Sequence, residues 1–188
     1  MKHVIEPAFS LFIIAALVTA LLGLVRNLTL EPIETQRKKT LEKTMKEVLS
    51  EAEDFRELNA NIAGNPGGSM VRAFEGLREN ETIGYVLELA PSGYSGTISI
   101  MVGISKTEEK ITGMRVMKHT ETPGLGSLAV KESFYRKFDG KKLVPIKVVR
   151  ASPGDDEIEA ITSATITTKA VTGAVNEAIE WFNGGLWK

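Results

Sequence analysis

The chain has 188 residues, 43% hydrophobic and 25% charged, with a formal net charge of −1, enough for one domain and an anchor. It contains no cysteine and only two histidines, His3 and His119. That excludes a cysteine-ligated iron–sulfur cluster, a disulfide, a thiol nucleophile and a three-histidine zinc site within this chain, so any redox chemistry must rest on an organic cofactor. The balanced charge offers no strongly basic face for a nucleic-acid partner.

Residues Ala8 to Val25 form an uncharged apolar run between Glu6 and Arg26. At ~1.5 Å per residue its 18 residues span roughly 27 Å, close to the ~30 Å hydrocarbon core of a bilayer. A cleaved signal peptide is the competing reading, with Val18-Thr19-Ala20 as a small-residue cleavage site. However, Leu21, Leu22, Leu24 and Val25 carry the apolar run past it, which favours a retained anchor. Pro7 and Pro32 each suit the first position of a helix. From Ile33 to Leu49, Leu41, Met45, Val48 and Leu49 recur at helical spacing. The sequence thus divides into a short tail (1–6), a transmembrane helix (7–26), a helical stalk or first domain helix (27–50) and a folded domain (51–188).

The domain opens on a Gly-, Asn- and Pro-rich loop, Asn59 to Ser69. Three runs then read as strands: Ile83–Leu89, Thr97–Ile104 and Ile111–Lys118. The last two alternate as a sheet with one buried face would, and Ser105 to Lys110 fits a hairpin between them. Leu125 to Phe138 suggests a short helix, and Pro145 to Arg150 another strand. The final helix is the clearest element: from Thr167 on, Ala170, Val171, Ala174, Val175, Ala178, Ile179 and Phe182 make one stripe, ended by Gly184 and Gly185. The expected fold class is α+β, a single N-terminal transmembrane helix followed by a mostly antiparallel α+β domain.

Immediately before that helix stands a cluster of hydroxyls: Thr162, Ser163, Thr165, Thr167 and Thr168. One reading makes them N-cap candidates. The other makes the helix start a phosphate site, because its free amides and dipole attract an anion and small neighbours such as Ser163 and Ala164 leave room for one.

The run Glu159 to Thr165, EAITSAT, resembles the flavinylation motif of the RnfG/NqrC family. That family joins the G subunit of the Rnf ion-translocating oxidoreductase complex and the C subunit of the Nqr complex. The family pattern is Asp-x-x-(Ser/Thr)-Gly-Ala-(Thr/Ser). Glu159 stands at the Asp position, Thr162 at Ser/Thr, Ser163 at Gly, Ala164 at Ala and Thr165 at the acceptor. Glu159 adds a methylene, and Ser163 replaces a residue free to adopt positive φ. Two further segments are similar to the family: Gly93-Tyr94-Ser95-Gly96-Thr97-Ile98, with Thr97 where Pro is usual, and Glu121-Thr122-Pro123-Gly124-Leu125-Gly126. The compact length resembles the Rnf branch.

The resemblance implies an electron-transfer subunit of a membrane-bound ferredoxin:NAD oxidoreductase, a non-catalytic redox subunit carrying FMN by a phosphoester on Thr165. A flavin transferase, with FAD as donor, would attach it. The expected cofactor site comprises Thr165, Thr162, Ser163, Ala164, Glu121, Thr122, Gly124, Leu125, Gly126, Tyr94 and Ser95, with Gly124 and Gly126 letting backbone approach a flat ring. No metal site is expected. The implied partners are the other membrane and redox subunits of the complex, the flavin transferase and membrane lipid. The implied location is the cell membrane, single-pass, with the C-terminal domain extracytoplasmic. Charge bias alone points the other way: Arg26, Arg37, Lys38 and Lys39 outweigh Lys2. The alternative function is a membrane-anchored extracytoplasmic binding or sensory domain without covalent cofactor, in which the hydroxyls are only helix caps.

Overall fold

The computed structural model describes residues 2–58 and 68–185. Most of the Gly-rich loop, residues 59–67, lies outside the described residues. The chain opens with α1 (Lys2–Val48). Within it, Ala8–Arg26 has a mean hydropathy of 2.6 and no buried residue, long and apolar enough to cross a membrane. The backbone stays helical through Pro7 and Pro32, so neither opens a helix. A proline removes one backbone bond; Pro7 falls within the first two turns of α1, and Pro32 is carried by long helical runs on both sides.

Residues from Lys43 onward form one compact unit. Its centre is an antiparallel five-stranded sheet in the order β1 (Asp54–Glu57), β2 (Met70–Arg78), β3 (Glu81–Leu89), β4 (Ser99–Ser105), β5 (Lys110–Lys118). The three strands read from the sequence are β3, β4 and β5. The first two strands of the meander escape a pattern reading because charges interrupt them. Their charges are satisfied across strands: Arg72 faces its register partner Glu88 at 2.6 Å, and Glu75 accepts bonds from Arg56 and Thr82. The Arg56 guanidinium holds the Glu75 carboxyl below its ordinary value, against the opposing effect of burial.

After β5 come a 3-10 turn (Gly126–Val130), a single α turn, α2 (Glu132–Tyr135), and another 3-10 turn (Arg136–Phe138). The one helix expected over Leu125 to Phe138 is broken because Lys131 adopts an extended conformation, φ −76° and ψ 144°. Two short parallel strands follow, β6 (Lys147–Val149) and β7 (Glu157–Glu159), then α3 (Thr165–Asn183). Asn176 of α3 clamps the entry to β6, accepting from the Ile146 amide at 2.8 Å and donating to its carbonyl at 2.9 Å.

One face of the sheet (Leu87, Leu89, Ile100, Val102, Ile104, Met114) packs into a core with the apolar stripe of α3. Val171, Ala174, Val175, Ala178 and Ile179 are buried there as expected, and Ala170 and Phe182 are half-buried. Trp181, outside the predicted stripe, is fully buried edge-on to Tyr85 at 5.4 Å between ring centroids.

The second face is covered as well, contrary to the single buried face expected. It presents a row of glycines, one in each of β2 to β5: Gly76 of β2 pairs with Gly84 of β3, and Gly103 of β4 with Gly113 of β5. The last turn of α1 and the residues after it lie directly on that row. A Cβ at Gly103 would overlap the Val48 carbonyl, one at Gly113 would sit 3.2 Å from Val48 Cα, and one at Gly84 would come within 3.1 Å of Leu49. Thr112 donates its hydroxyl to the same Val48 carbonyl, and Met45, Val48, Leu49 and Ala52 are buried against the sheet. Backbone-to-backbone approach of this kind is open only to glycine.

Unfolding of the detergent-solubilised full chain tests this seat. Gly103→Ala should lower stability by about 1–3 kcal/mol through overpacking. Gly173→Ala, in the interior of α3 with open space beside it, should raise it by about 0.5–1 kcal/mol.

Candidate functional site

At the end of the domain where α3 begins, three loops converge: 91–97 between β3 and β4, 119–126 after β5, and 160–164 between β7 and α3. Glu121 ties them together. It is 5% exposed. One carboxylate oxygen accepts the Ser95 amide at 2.8 Å, and the other accepts the Thr167 hydroxyl from the first turn of α3. The Glu121 amide in turn donates to Nδ1 of His119 at 3.2 Å, which makes His119 a local support for the loop. Two glycines leave the carboxylate its room. A Cβ at Gly93 would lie 2.6 Å from one oxygen, and one at Gly126 would overlap the other and lie 2.6 Å from the Thr167 hydroxyl. The close approach at Gly126 therefore serves Glu121. Gly124 is a turn glycine, with φ 76° and nothing near a Cβ.

The turn from Ile161 to Ala164 is closed by the Ala164 amide on the Ile161 carbonyl at 2.9 Å. Thr168 locks it to α3, its hydroxyl accepting from the Ile161 amide and donating to the Ala164 carbonyl, both at 3.0 Å. Ser163 takes the left-handed conformation, φ 62°, which a non-glycine residue adopts at a cost of about 1–2 kcal/mol. The helix N-cap is Ala164, and no side chain caps the first turn. The hydroxyl cluster is therefore not a set of N-caps, and the first-turn amides keep no side-chain acceptor. Thr165 is the first helical residue and is exposed, as is Thr162.

Between the loops lies a cleft of about 260 Å³. Seven of the expected site residues line it: Tyr94, Glu121, Thr122, Leu125, Gly126, Ser163 and Ala164. Ile166 and Thr167 also line it; the sequence reading had Thr167 only among the hydroxyls at the helix start and missed Ile166. The stripe at helical spacing drew attention to the buried side of α3, whereas Ile166 faces outward at 55% exposure. Ser95 contributes its amide to Glu121, while Thr162, Thr165 and Gly124 stand outside the lining. Glu159 lies on β7 with its carboxylate 3.6 Å from Lys137, away from the cleft.

The residues present suit a flavin mononucleotide. Uncapped amides at a helix start favour a phosphate, and Tyr94, Leu125 and Ile166 offer exposed apolar surface beside them for a flat ring. Among the described residues, no group of carboxylates and imidazoles could hold a metal.

Comparison with known proteins agrees with this geometry. Residues 93–180 match the FMN-binding domain family, and residues 1–48 match the RnfG N-terminal region. The solved C subunit of the Na(+)-translocating NADH-quinone reductase from Parabacteroides distasonis shares the fold, with a TM-score of 0.56 and 20% identity over 78% of this chain and 82% of that one. The class is thus an FMN-binding domain fold behind one N-terminal apolar helix. The G subunit of the Na(+)-translocating ferredoxin:NAD(+) oxidoreductase complex of Acetobacterium woodii is 35% identical over 95% of this chain and 91% of its own length. The G subunit of the ion-translocating oxidoreductase complex of Methanosarcina acetivorans is 30% identical over 96% and 95%. The chain belongs to the RnfG family, the G subunits of ion-translocating oxidoreductase complexes.

Two outcomes test the site's construction. Glu121→Ala strands the Ser95 amide and the Thr167 hydroxyl, and should lower stability by about 1.5–3 kcal/mol while speeding amide exchange across 93–97. Ser163→Gly should raise the unfolding free energy by about 1 kcal/mol by relieving the left-handed serine.

Proposed function

We propose that this chain is the FMN-carrying electron-transfer subunit of an Rnf-type ion-translocating ferredoxin:NAD oxidoreductase, with the cofactor held by a phosphoester on Thr165. The observation that carries the reading is the position of Thr165: an exposed hydroxyl on the first residue of an uncapped helix, one residue from the cleft wall at Ala164. In attachment, the Thr165 oxygen would bond to the FMN phosphorus of FAD, AMP would leave, and the hydroxyl proton would pass to the flavin transferase. First-turn amides would hold the phosphate oxygens. Tyr94, Leu125 and Ile166 would cover part of the ring system, and the Glu121 clasp would keep the three loops in place. Bound FMN supplies one- and two-electron redox chemistry; the protein need supply no acid, base or nucleophile of its own.

A tether at the phosphate end retains the cofactor without tight enclosure, which suits an open cleft. The helix at Ala8–Arg26 would anchor the subunit in the cell membrane beside the other subunits and lipid, with residues 1–6 as a cytoplasmic tail and residues 51–188 as the extracytoplasmic domain. A folded domain translocates largely regardless of loop charge, so the basic residues after the span do not oppose that orientation. Ion pumping belongs to other subunits, since the run from Ala8 to Val25 carries no charged residue.

Flavin fluorescence on a denaturing gel tests the linkage. Full-length protein produced with a flavin transferase should give a bright band, and Thr165→Ala a dark one. A dark wild-type band overturns the covalent bond. A bright Thr165→Ala band moves the acceptor to Thr162, the other exposed threonine of the motif, because Thr167 is buried on Glu121.

A further inference from the structure

The Glu121 clasp does not require a charge. A glutamine in its place could accept the Ser95 amide on its carbonyl oxygen and donate its NH2 to the Thr167 hydroxyl oxygen, making the same two contacts. It would do so without the cost of holding an ionised group away from water. Both carboxylate oxygens act as acceptors in the structure, the pattern of the ionised form, and both donors are neutral.

The surroundings leave that charge uncompensated. Residues 91–97, 119–130 and 160–168, which hold the three cleft loops, contain no other Asp, Glu, Lys or Arg. His119 presents Nδ1 as an acceptor to the Glu121 amide, so that nitrogen carries no proton. Lys118, Lys131 and Lys169 stand at the ends of these segments, all exposed, where water and salt screen them. Glu121 is 5% exposed and still forms part of the cleft wall, as the one charged residue of its lining.

We propose that the Glu121 carboxylate lowers the reduction potential of the flavin in this cleft. The inference rests on the reading of the cleft as the cofactor site, and it adds which residue sets the electron affinity there. An electron given up by a donor adds one negative charge to a bound ring until a proton from water follows. A fixed carboxylate in the low-dielectric wall opposes that gain, and no buried cation offsets it. Its effect on the phosphate is the same in both redox states and cancels from the potential. Glu121 transfers no proton in this role: it acts on the ring only through its field.

Potentiometry tests the assignment. Detergent-solubilised full-length protein, loaded by a flavin transferase, is titrated with dithionite and mediators while flavin absorbance is followed. Glu121→Gln should raise the midpoint by at least about tenfold in the redox equilibrium, about 59 mV for a one-electron step. Glu121→Asp keeps the charge and should stay near the wild type. Glu177→Gln is the control. Glu177 is also buried, at 7% exposure, and accepts the Ser69 and Met70 amides at 3.0 and 3.2 Å, but it stands outside the cleft lining. Its variant should keep the wild-type midpoint. An unmoved midpoint in Glu121→Gln overturns the proposal, as does an equal rise in Glu121→Asp or Glu177→Gln. Should Glu121→Gln take up no flavin, infrared difference spectra of the wild type decide instead. With isotope-labelled glutamate, the reduced-minus-oxidised spectrum should contain a carboxylate band that moves with the label, and its absence overturns the proposal. A wild-type chain that takes up no flavin sinks the cofactor reading and this inference together, whereas a flavin-loaded Glu121→Gln chain with the wild-type midpoint sinks the inference alone.

Discussion

Glu121 is a carboxylate held in the interior by neutral donors, a backbone amide from one loop and a hydroxyl from a helix. A buried carboxylate left without such donors is costly. Loops 91–97 and 119–126 and the first turn of α3 supply the donors, the glycine clearance and the carboxylate, and must therefore come together for that carboxylate to be buried. This single constraint explains why Gly93 and Gly126 are glycines, why Thr167 points inward rather than capping its helix, and why Thr165, two residues earlier, is left facing outward. The cleft follows from the clasp: its walls are the residues that flank the three points of contact.

A second constraint acts on the opposite side of the sheet. The glycine row from β2 to β5 lets the backbone at Val48 rest against the strands, so the end of the long N-terminal helix belongs to the domain's own packing. Arg115 continues this contact, its guanidinium 3.4 Å from the Glu47 carboxylate and stacked 4.0 Å over the Tyr135 ring. Arg115 lies on β5, which leads into the Glu121 loop, and Tyr135 lies in α2, which follows it. The helix end and both flanks of the Glu121 loop are thus held by one side chain.

Much of the fold was legible because periodicity survives wherever a residue's environment repeats along its own element. The apolar span, the α3 stripe and strands β3 to β5 each carry such a pattern. Strands β1 and β2 were not, because Arg56, Arg72 and Glu75 look solvent-bound until their cross-strand partners are known. Of the site, seven residues named from motif likeness line one cleft, while Ile166 and Thr167 were invisible to it: one is an apolar residue off the stripe, the other a hydroxyl among many.

By itself the sequence determined that the chain has an apolar segment long enough for a membrane, that cysteine chemistry is closed to it, and that a hydroxyl-rich turn precedes an amphipathic helix. These are properties of composition and local spacing. Only the tertiary structure decided which hydroxyl is buried on Glu121 and which faces out, that Ser163 must be left-handed, and that glycines in four strands receive the end of α1. Each of those depends on what another part of the chain places opposite the residue, and that identity exists only once the strands and loops have found their register.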